Sequence, residues 1–521
     1  MANQRRFFRP RDAEVGRHQS FRQPLDGEYA FRLDQGGQAP LETYNATTKE
    51  LQEIIAECIR DGMTLRARGS LWSLSSVAVT DGRLIDTKAL RQAFSFPPML
   101  IDPRYTAAGG DGAKLRLIEC GNSIDAVNRY LFGDRLSLKA SGSNNGQTLA
   151  GALSTGTHGG AFKVGAIQEM AVGLHLVVGP GKHIYLERQS QPVMDARFAQ
   201  SLGAEFKRDD DLFNAALISF GSFGVIHGIM IEARELFILN ALRFDHPYDG
   251  ALKRAITTLD LSGLQLPASA ATVPKGKPYH FEIFYNPNEG TPPAEAIVLV
   301  MFEEPFDESY VSPEWDASDA GPGASGLDVM GALLEIIPQP LTRLVVAILN
   351  DQVRDQYAPM TKKGIIRDLF RGERTLGKTL GCGIGLPLPR ALEALEIAFR
   401  TYKDSGDVMP IILSHRFVKG TQALLGFTRF DPTAVLEIDA INTPGTRKYL
   451  QTVWANLDAA GIPFTLHWGK FNSFLTPARV RKMYGDAAVD RWIASRNSLL
   501  ESPAVAKVFA NPFITRLQLA G

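Results

Sequence analysis

Apolar positions recur along this chain in two rhythms. Leu51, Ile54, Ile55 and Cys58 share one helical face, with Thr47 or Thr48 placed to cap it and Gly62 to end it. Thr64 to Arg68 then alternates like a strand and runs into the small-residue turn Gly69–Ser75. Leu84–Asp86 and Leu115–Glu119 read as further strands, followed by a helix over Ile124–Phe132. Leu136–Leu138 leads into Ser141–Gly160, SGSNNGQTLAGALSTGTHGG. Gln168–Val178 alternates, and Lys182–Leu186 is set to pair with it across Gly179-Pro180-Gly181. Asp209-Asp210-Asp211 opens a helix over Leu212, Phe213, Ala216 and Leu217, where acidic residues suit the helix dipole. The turn Phe220–Ile226 passes into a strand over Gly228–Glu235.

Beyond residue 236 the pattern changes. Tyr279–Tyr285 and Ala296–Met301 are predicted strands, 303–325 is loop-like, and 327–350 is apolar and helical with breaks at Pro338 and Pro340. A helix over Ala391–Arg400 precedes three strands in antiparallel-looking succession, Pro410–Val418, Ala423–Thr428 and Val435–Ala440. A helix over Tyr449–Ala460 and a tail that is helical to about Leu500 complete the chain, while residues 1–40 read as an irregular arm. At 521 residues the chain exceeds one core. The pattern predicts an α+β protein with divisions at 1–40, 41–235, 236–464 and 465–521, the last returning to the first domain.

Composition removes several function classes. Lys plus Arg and Asp plus Glu both number 56, so there is no electrostatic case for nucleic acid as a partner. The arm is locally basic, and a partner-packed or solvated segment fits it better than a membrane contact. Asp12 and Glu14 interrupt any signal-peptide core, and no apolar run is long enough for a transmembrane segment, so a cytoplasmic location is the expectation. Cys58, Cys120 and Cys382 are far apart, which indicates neither a disulfide framework nor a metal site. Neither GxGxxG after a strand nor GxxxxGK[ST] occurs.

Three small-residue turns do occur in one domain, at 69–75, 141–160 and 221–226. Small residues let a backbone approach a ligand closely, and clustered N–H groups hold anions. In order and wording, LRARGSLWSLSS, LIDTKAL, LRLIECGNSIDAVNRYL, SGSNNGQTLAGALSTGTHGG and DLFNAALISFGSFGVIHGIMIEA resemble the FAD-binding domain of the vanillyl-alcohol oxidase / p-cresol methylhydroxylase (PCMH-type) flavoprotein superfamily. HWGK at 467–470, with RW at 491–492 and FANPF at 509–513, is similar to the end of its aldonolactone and alditol oxidase branch. The resemblance implies a two-subdomain FAD-binding domain plus an α+β substrate (cap) domain built on an antiparallel sheet. It implies that Arg68, Gly69, Ser70, Leu71, Trp72 and Ser73 wrap the FAD pyrophosphate. Gly142, Ser143, Gly151, Ser154, Thr155, Thr157 and His158 would line pyrophosphate and flavin, with Gly221, Val225 and Ile226 on the adenine side.

Relatives that bond the flavin covalently carry His where this chain has Trp72, so noncovalent FAD is expected. Relatives also present an acid-x-Arg pair on a substrate-domain strand. Arg416 fits, but Ser414 stands in place of the acid. Glu437 and Asp439 are substrate-lining or solvent-facing acids on the next strand, and Glu282 amid aromatics is either paired or functional. His467 and Lys470 are the first choices for catalysis, His467 as base and Lys470 or Arg416 as cation near the flavin. His415 falls on the opposite strand face, and His175, His183 and His227 read as scattered structural residues. The implied activity is oxidation of CH–OH by hydride transfer to flavin N5. Dioxygen or another acceptor takes the electrons, hydrogen peroxide being the expected product. The implied substrate is a polyol, sugar or sugar lactone. A bulkier apolar alcohol such as a sterol is the alternative, and an inactive flavoprotein-like scaffold the second.

Overall fold

The computed structural model describes residues 5–18, 20–33, 39–267, 277–313, 343, 346–347, 357–370 and 379–521. The apolar segment expected as a helix at 327–350 therefore lies, but for three positions, outside the described residues. A four-stranded sheet runs in the order Arg6–Arg9, Gly27–Phe31, Arg83–Asp86, Leu65–Arg68. Its last three strands are mutually parallel. A six-stranded sheet follows, ordered Glu205–Arg208, His183–Glu187, Ala171–Val177, Val225–Glu232, Leu115–Glu119, Ala93–Phe94. The third large sheet has eight strands, with Lys277–Tyr285, Ile411–Val418, Thr433–Ile441 and Thr379–Pro387 adjacent at its centre. All of its pairings are antiparallel.

Several expected elements differ. The arm is not irregular: Arg6–Arg9 and Gly27–Phe31 enter the first sheet, and Ala13–Val15 pairs with Arg22–Pro24. Glu14 and Glu28 are buried against Arg68, which pins the arm to the domain. The first helix starts at Pro40, not at Thr47 or Thr48. Tyr44 extends its buried stripe, and both threonine hydroxyls donate to carbonyls one turn back inside the helix. Residues 423–428 form a turn instead of a strand. Their alternation is genuine burial of Ala423, Leu425 and Phe427, but the backbone is held by other segments: Leu424 N–H donates to Asn214 O and Leu425 O accepts from Trp468. The tail crosses back to the N-terminal half, where Leu74 N–H donates to Gly469 O at 2.7 Å and Trp492 Nε1 to Ile218 O at 3.0 Å.

His175, His183 and His227 are not scattered. His175 Nδ1 meets the Tyr44 hydroxyl at 2.7 Å and its Nε2 meets His183 Nδ1 at 2.9 Å, while His227 stacks on Tyr44 with centroids 3.9 Å apart. They form one polar cluster inside the N-terminal domain, with His175 and His227 buried and Glu119 on His227 Nε2 at 3.1 Å.

Candidate active site

A cavity of about 670 Å³ lies between the two halves of the molecule. The turn after Leu65–Arg68 forms one wall. There Leu71 adopts a left-handed φ of 54°, an uncommon conformation for a non-glycine residue. The N–H groups of Gly69 to Ser73 donate to no other protein group among the described residues. The second wall is the segment 141–158, where Thr148 caps the helix Leu149–Thr155. Gly146 permits the two walls to meet, since a Cβ there would lie 2.7 Å from the Trp72 ring. The third turn supplies Phe220, Gly221 and Gly224.

Of the residues singled out for the cofactor, all but Val225 line this cavity. Val225 is buried at the start of its strand beside Ile226, which does line it. The walls also fit a bound dinucleotide chemically. Unpartnered N–H groups form an anion nest, while Trp72 Nε1, Gln147 Oε1 and all three Arg66 nitrogens are buried without a hydrogen-bond partner among the described residues. Two of the lining residues, Arg66 and His18, escaped the sequence reading. His18 comes from the N-terminal arm, where Arg17 sits 4.3 Å over the Trp72 ring. Burial, with Arg17 and Lys470 adding to it, pushes the His18 imidazole down to about 4, so it is neutral.

The other end of the cavity holds a charge cluster on the central strands of the eight-stranded sheet. Arg416 Nε donates to Glu282 Oε1 at 2.5 Å, and its Nη1 lies 3.2 Å from Glu437 Oε2. Lys470 Nζ lies 3.4 Å from Glu437 and 3.2 Å from Asp439. His158 Nε2 faces Glu437 at 3.5 Å. Burial alone would raise the Glu437 carboxyl, yet Arg416 and Lys470 hold it well below the usual range. Against the same desolvation, Asp439 and Glu437 hold the Lys470 ammonium above its usual range. Asp439 is pushed up, by its loss of solvent and then by Glu437's charge.

Three of the expected roles shift. Glu282 and Ser414 do not line the cavity, although both are buried beside it. Glu282 stands behind Arg416, with His280 Nε2 on its other oxygen at 3.2 Å. The acid missing at Ser414 comes from across the ladder, because Glu437 is the register partner of Ser414. His415 points away, its Nδ1 on the Tyr285 hydroxyl at 3.2 Å. His467 lines the cavity, but Gly469 N–H donates to its Nδ1 at 2.9 Å. Nε2 is then the nitrogen that carries hydrogen, so the neutral ring presents a donor. Burial, then His158 and Lys470, keeps that ring neutral by pushing it well down. Tyr357, Asn286 and Thr379 complete the polar lining of this end, and Leu380, Pro410, Ile411, Ile412 and Ile441 its apolar lining.

Comparison with known proteins agrees with this geometry. A protein-family model described as an FAD binding domain matches residues 43–187. L-gulono-1,4-lactone dehydrogenase of Mycobacterium tuberculosis is 27% identical over 473 residues, 90% of this chain and 93% of that enzyme. D-arabinono-1,4-lactone oxidase of Yarrowia lipolytica is 28% identical over 181 residues, 35% of this chain and 29% of that enzyme. The fold matches that of cholesterol oxidase from Brevibacterium sterolicum with a TM-score of 0.67, at 13% identity, over 99% of this chain and 98% of that one. With the FAD binding domain model matched across two of the three cavity turns and an α+β architecture in common with cholesterol oxidase, the chain carries an FAD-binding domain and is an FAD-linked oxidoreductase.

Proposed function

We propose that the chain oxidises the CH–OH group of a polyol, sugar or sugar lactone, with noncovalent FAD as the hydride acceptor and dioxygen as the final one, releasing hydrogen peroxide. The observation that carries this reading is the arrangement of Arg416 and Lys470 around Glu437, with Asp439 on the cavity wall. FAD, when bound, supplies the redox chemistry, and the protein supplies orientation and charge. Arg416 and Lys470 draw a substrate hydroxyl in and favour its loss of a proton. Asp439, its basicity raised, takes that proton in place of His467, whose Nε2–H donates a hydrogen bond instead. Glu437 is too strongly held by two cations to be a useful base, and it fixes their positions. Arg68, Gly69, Ser70, Leu71, Trp72 and Ser73 hold the pyrophosphate, the 141–158 wall the flavin, and Gly221 and Ile226 the adenine side.

Lactone and polyol hydroxyls suit Asn286, Tyr357, Thr379 and Asp439, and the mycobacterial and yeast relatives are named for lactones. The apolar lining at Leu380, Pro410, Ile411, Ile412 and Ile441 favours a second reading, a bulkier alcohol such as a sterol. Trp72 supports noncovalent attachment, since an indole is not the imidazole that forms the bond in covalently linked relatives. Acid precipitation is expected to release the yellow colour to the supernatant. No described helix is long and apolar enough to cross a membrane, and a cytoplasmic location goes with that reading. The test is a peroxide assay over lactones, polyols, sugars and sterols, followed by anaerobic flavin bleaching with the best substrate. Lys470→Met and Asp439→Asn should each slow bleaching by about 10²–10³. Wild-type bleaching rates in both variants would remove the assigned roles, and bleaching by no alcohol in the panel would remove the activity.

A further inference from the structure

Arg66, in the middle of the strand Leu65–Arg68, is one of the largest fully buried side chains in the molecule, with 1% of its surface exposed. Among the described residues, none of its three guanidinium nitrogens has a hydrogen-bond partner. The contrast with the other arginines of the cavity is sharp. Arg68 is matched by Glu14, Glu28 and Asp86, and Arg416 by Glu282 and Glu437. The charge that Arg66 does feel is a like one, Arg496, whose Nη1 and Nη2 donate to the carbonyls of Ala520 and Ala506. Burial and Arg496 push Arg66 down to about 9, which leaves it cationic at neutral pH. It packs directly against the Gly221 turn, where φ is +68° and a Cβ would stand 3.0 Å from Arg66 Cδ. Glycine there serves both the left-handed backbone and the space over the guanidinium.

A buried guanidinium with no acid and no carbonyl is among the least favourable arrangements a folded chain can hold. It is tolerable where a ligand brings the missing charge, and Arg66 lines the same cavity as the unpartnered N–H groups of the 69–73 turn. We propose that Arg66 is the side-chain counter-charge for the pyrophosphate of FAD, completing an anion site whose other half is the backbone turn. The proposal rests on the FAD reading of the cavity and adds to it a single residue that couples cofactor binding to stability. Without the pyrophosphate, the guanidinium is a burden on the fold. With it, the same group becomes a buried, charge-assisted contact.

The test uses the full-length chain stripped of flavin, as wild type, Arg66→Met and Arg66→Lys. Each is titrated with FAD and with riboflavin, which carries the same ring system and no phosphate, and melted with and without FAD. Loss of a buried ionic partner should weaken FAD binding by about 100-fold in Arg66→Met. Riboflavin affinity should stay within about twofold, as expected for groups that do not touch. The melting temperature of the flavin-free Arg66→Met protein should rise above wild type, while its gain on adding FAD shrinks. Arg66→Lys keeps the charge without the planar fork and should lose about tenfold for FAD alone. Equal loss of FAD and riboflavin affinity, unchanged FAD affinity, or a lower melting temperature in flavin-free Arg66→Met would assign Arg66 to packing. Should Arg66→Met not fold, the FAD-to-riboflavin ratio in Arg66→Lys decides, a ratio equal to wild type overturning the proposal. Wild-type protein that binds neither flavin would instead overturn the FAD reading itself.

Discussion

Glu437→Gln keeps the size and one oxygen of a side chain that is 1% exposed, and removes only its charge. The carboxylate stands 3.2 Å from Arg416, 3.4 Å from Lys470 and 3.5 Å from His158. At an effective dielectric near 20, each of the two closest pairs has a gross attraction of about 5 kcal/mol. Part of that sum is returned, since a neutral amide avoids the cost of burying an anion. Arg416 also keeps Glu282, and Lys470 keeps Asp439. The net loss should fall where broken buried pairs usually fall, at about 3–5 kcal/mol. For a unit the size of the second domain, that is a drop of roughly 6–20 °C in melting temperature. Thermal melts followed by tryptophan fluorescence read it, with Asp439→Asn as the comparison. Asp439 is half-buried and its ion pair among the described residues is with Lys470, so its loss should cost about 1 kcal/mol of stability, near the surface-pair value. Salt at 0.5 M should not reproduce the Glu437→Gln loss in wild type, because buried pairs are poorly screened. A Glu437→Gln protein within about 1 kcal/mol of wild type would refute the idea that Glu437 organises the two cations.

Two further outcomes are expected. His18 and His415 are held neutral, pushed down to about 4 and about 3 mainly by burial, and His175 and His467 lie well down for the same first reason. In the unfolded chain these groups take protons near pH 6.5, and in the folded chain they do not, so the unfolded state binds more protons as pH falls. Their contribution is complete above about pH 6.5 and is lost below it, at up to about 1.4 kcal/mol per pH unit per histidine. Urea melts between pH 7.5 and 5 read this, and a flat profile would contradict it. Gly159→Ala would place a Cβ 2.1 Å from the Ser141 carbonyl, a backbone atom that cannot swing aside. It should cost about 1–3 kcal/mol and displace His158, seen as weakened flavin binding in a fluorescence titration. Undiminished binding would mean that the 141–160 wall yields easily.

The parts of this protein that could be read from its sequence are those in which adjacent residues do the same job. The three small-residue turns are local, and the N–H groups of 69–73 have no partner among the described residues because of what that short stretch is. The helix Asp210–Leu217 follows from its acidic cap, and the strands around 279 and 296 from their own alternation. What escaped is non-local. Arg66 looks like one more polar residue on an alternating strand, and only the fold reveals that no described acid pairs with it. His18 sits in a stretch with neither helical nor strand periodicity, because its place is fixed by Glu14 and Glu28 gripping Arg68, 54 and 40 positions on.

The sharpest case is the acid that belongs beside Arg416. Along its own strand Arg416 has Ser414 where the acid would stand. The acid is in fact opposite Ser414, on Thr433–Ile441, and the pairing of Ser414 with Glu437 puts it within 3.2 Å of the guanidinium. That register depends on the turn between the strands, where Ala423, Leu425 and Phe427 are buried and the chain is tied to Asn214 and Trp468. A slip of one residue would send Glu437 and Asp439 to the other face and bring Leu436 and Ile438 to the cavity. Alternation along Thr433–Ile441 permits either result, and tertiary contacts made by the turn select one. An acid-x-Arg pair on one strand and an acid facing it from the next present the same charges to a substrate. The second arrangement ties catalysis to the packing of a loop, so substitutions at Leu425 or Phe427 should disturb the charge cluster before they unfold the domain.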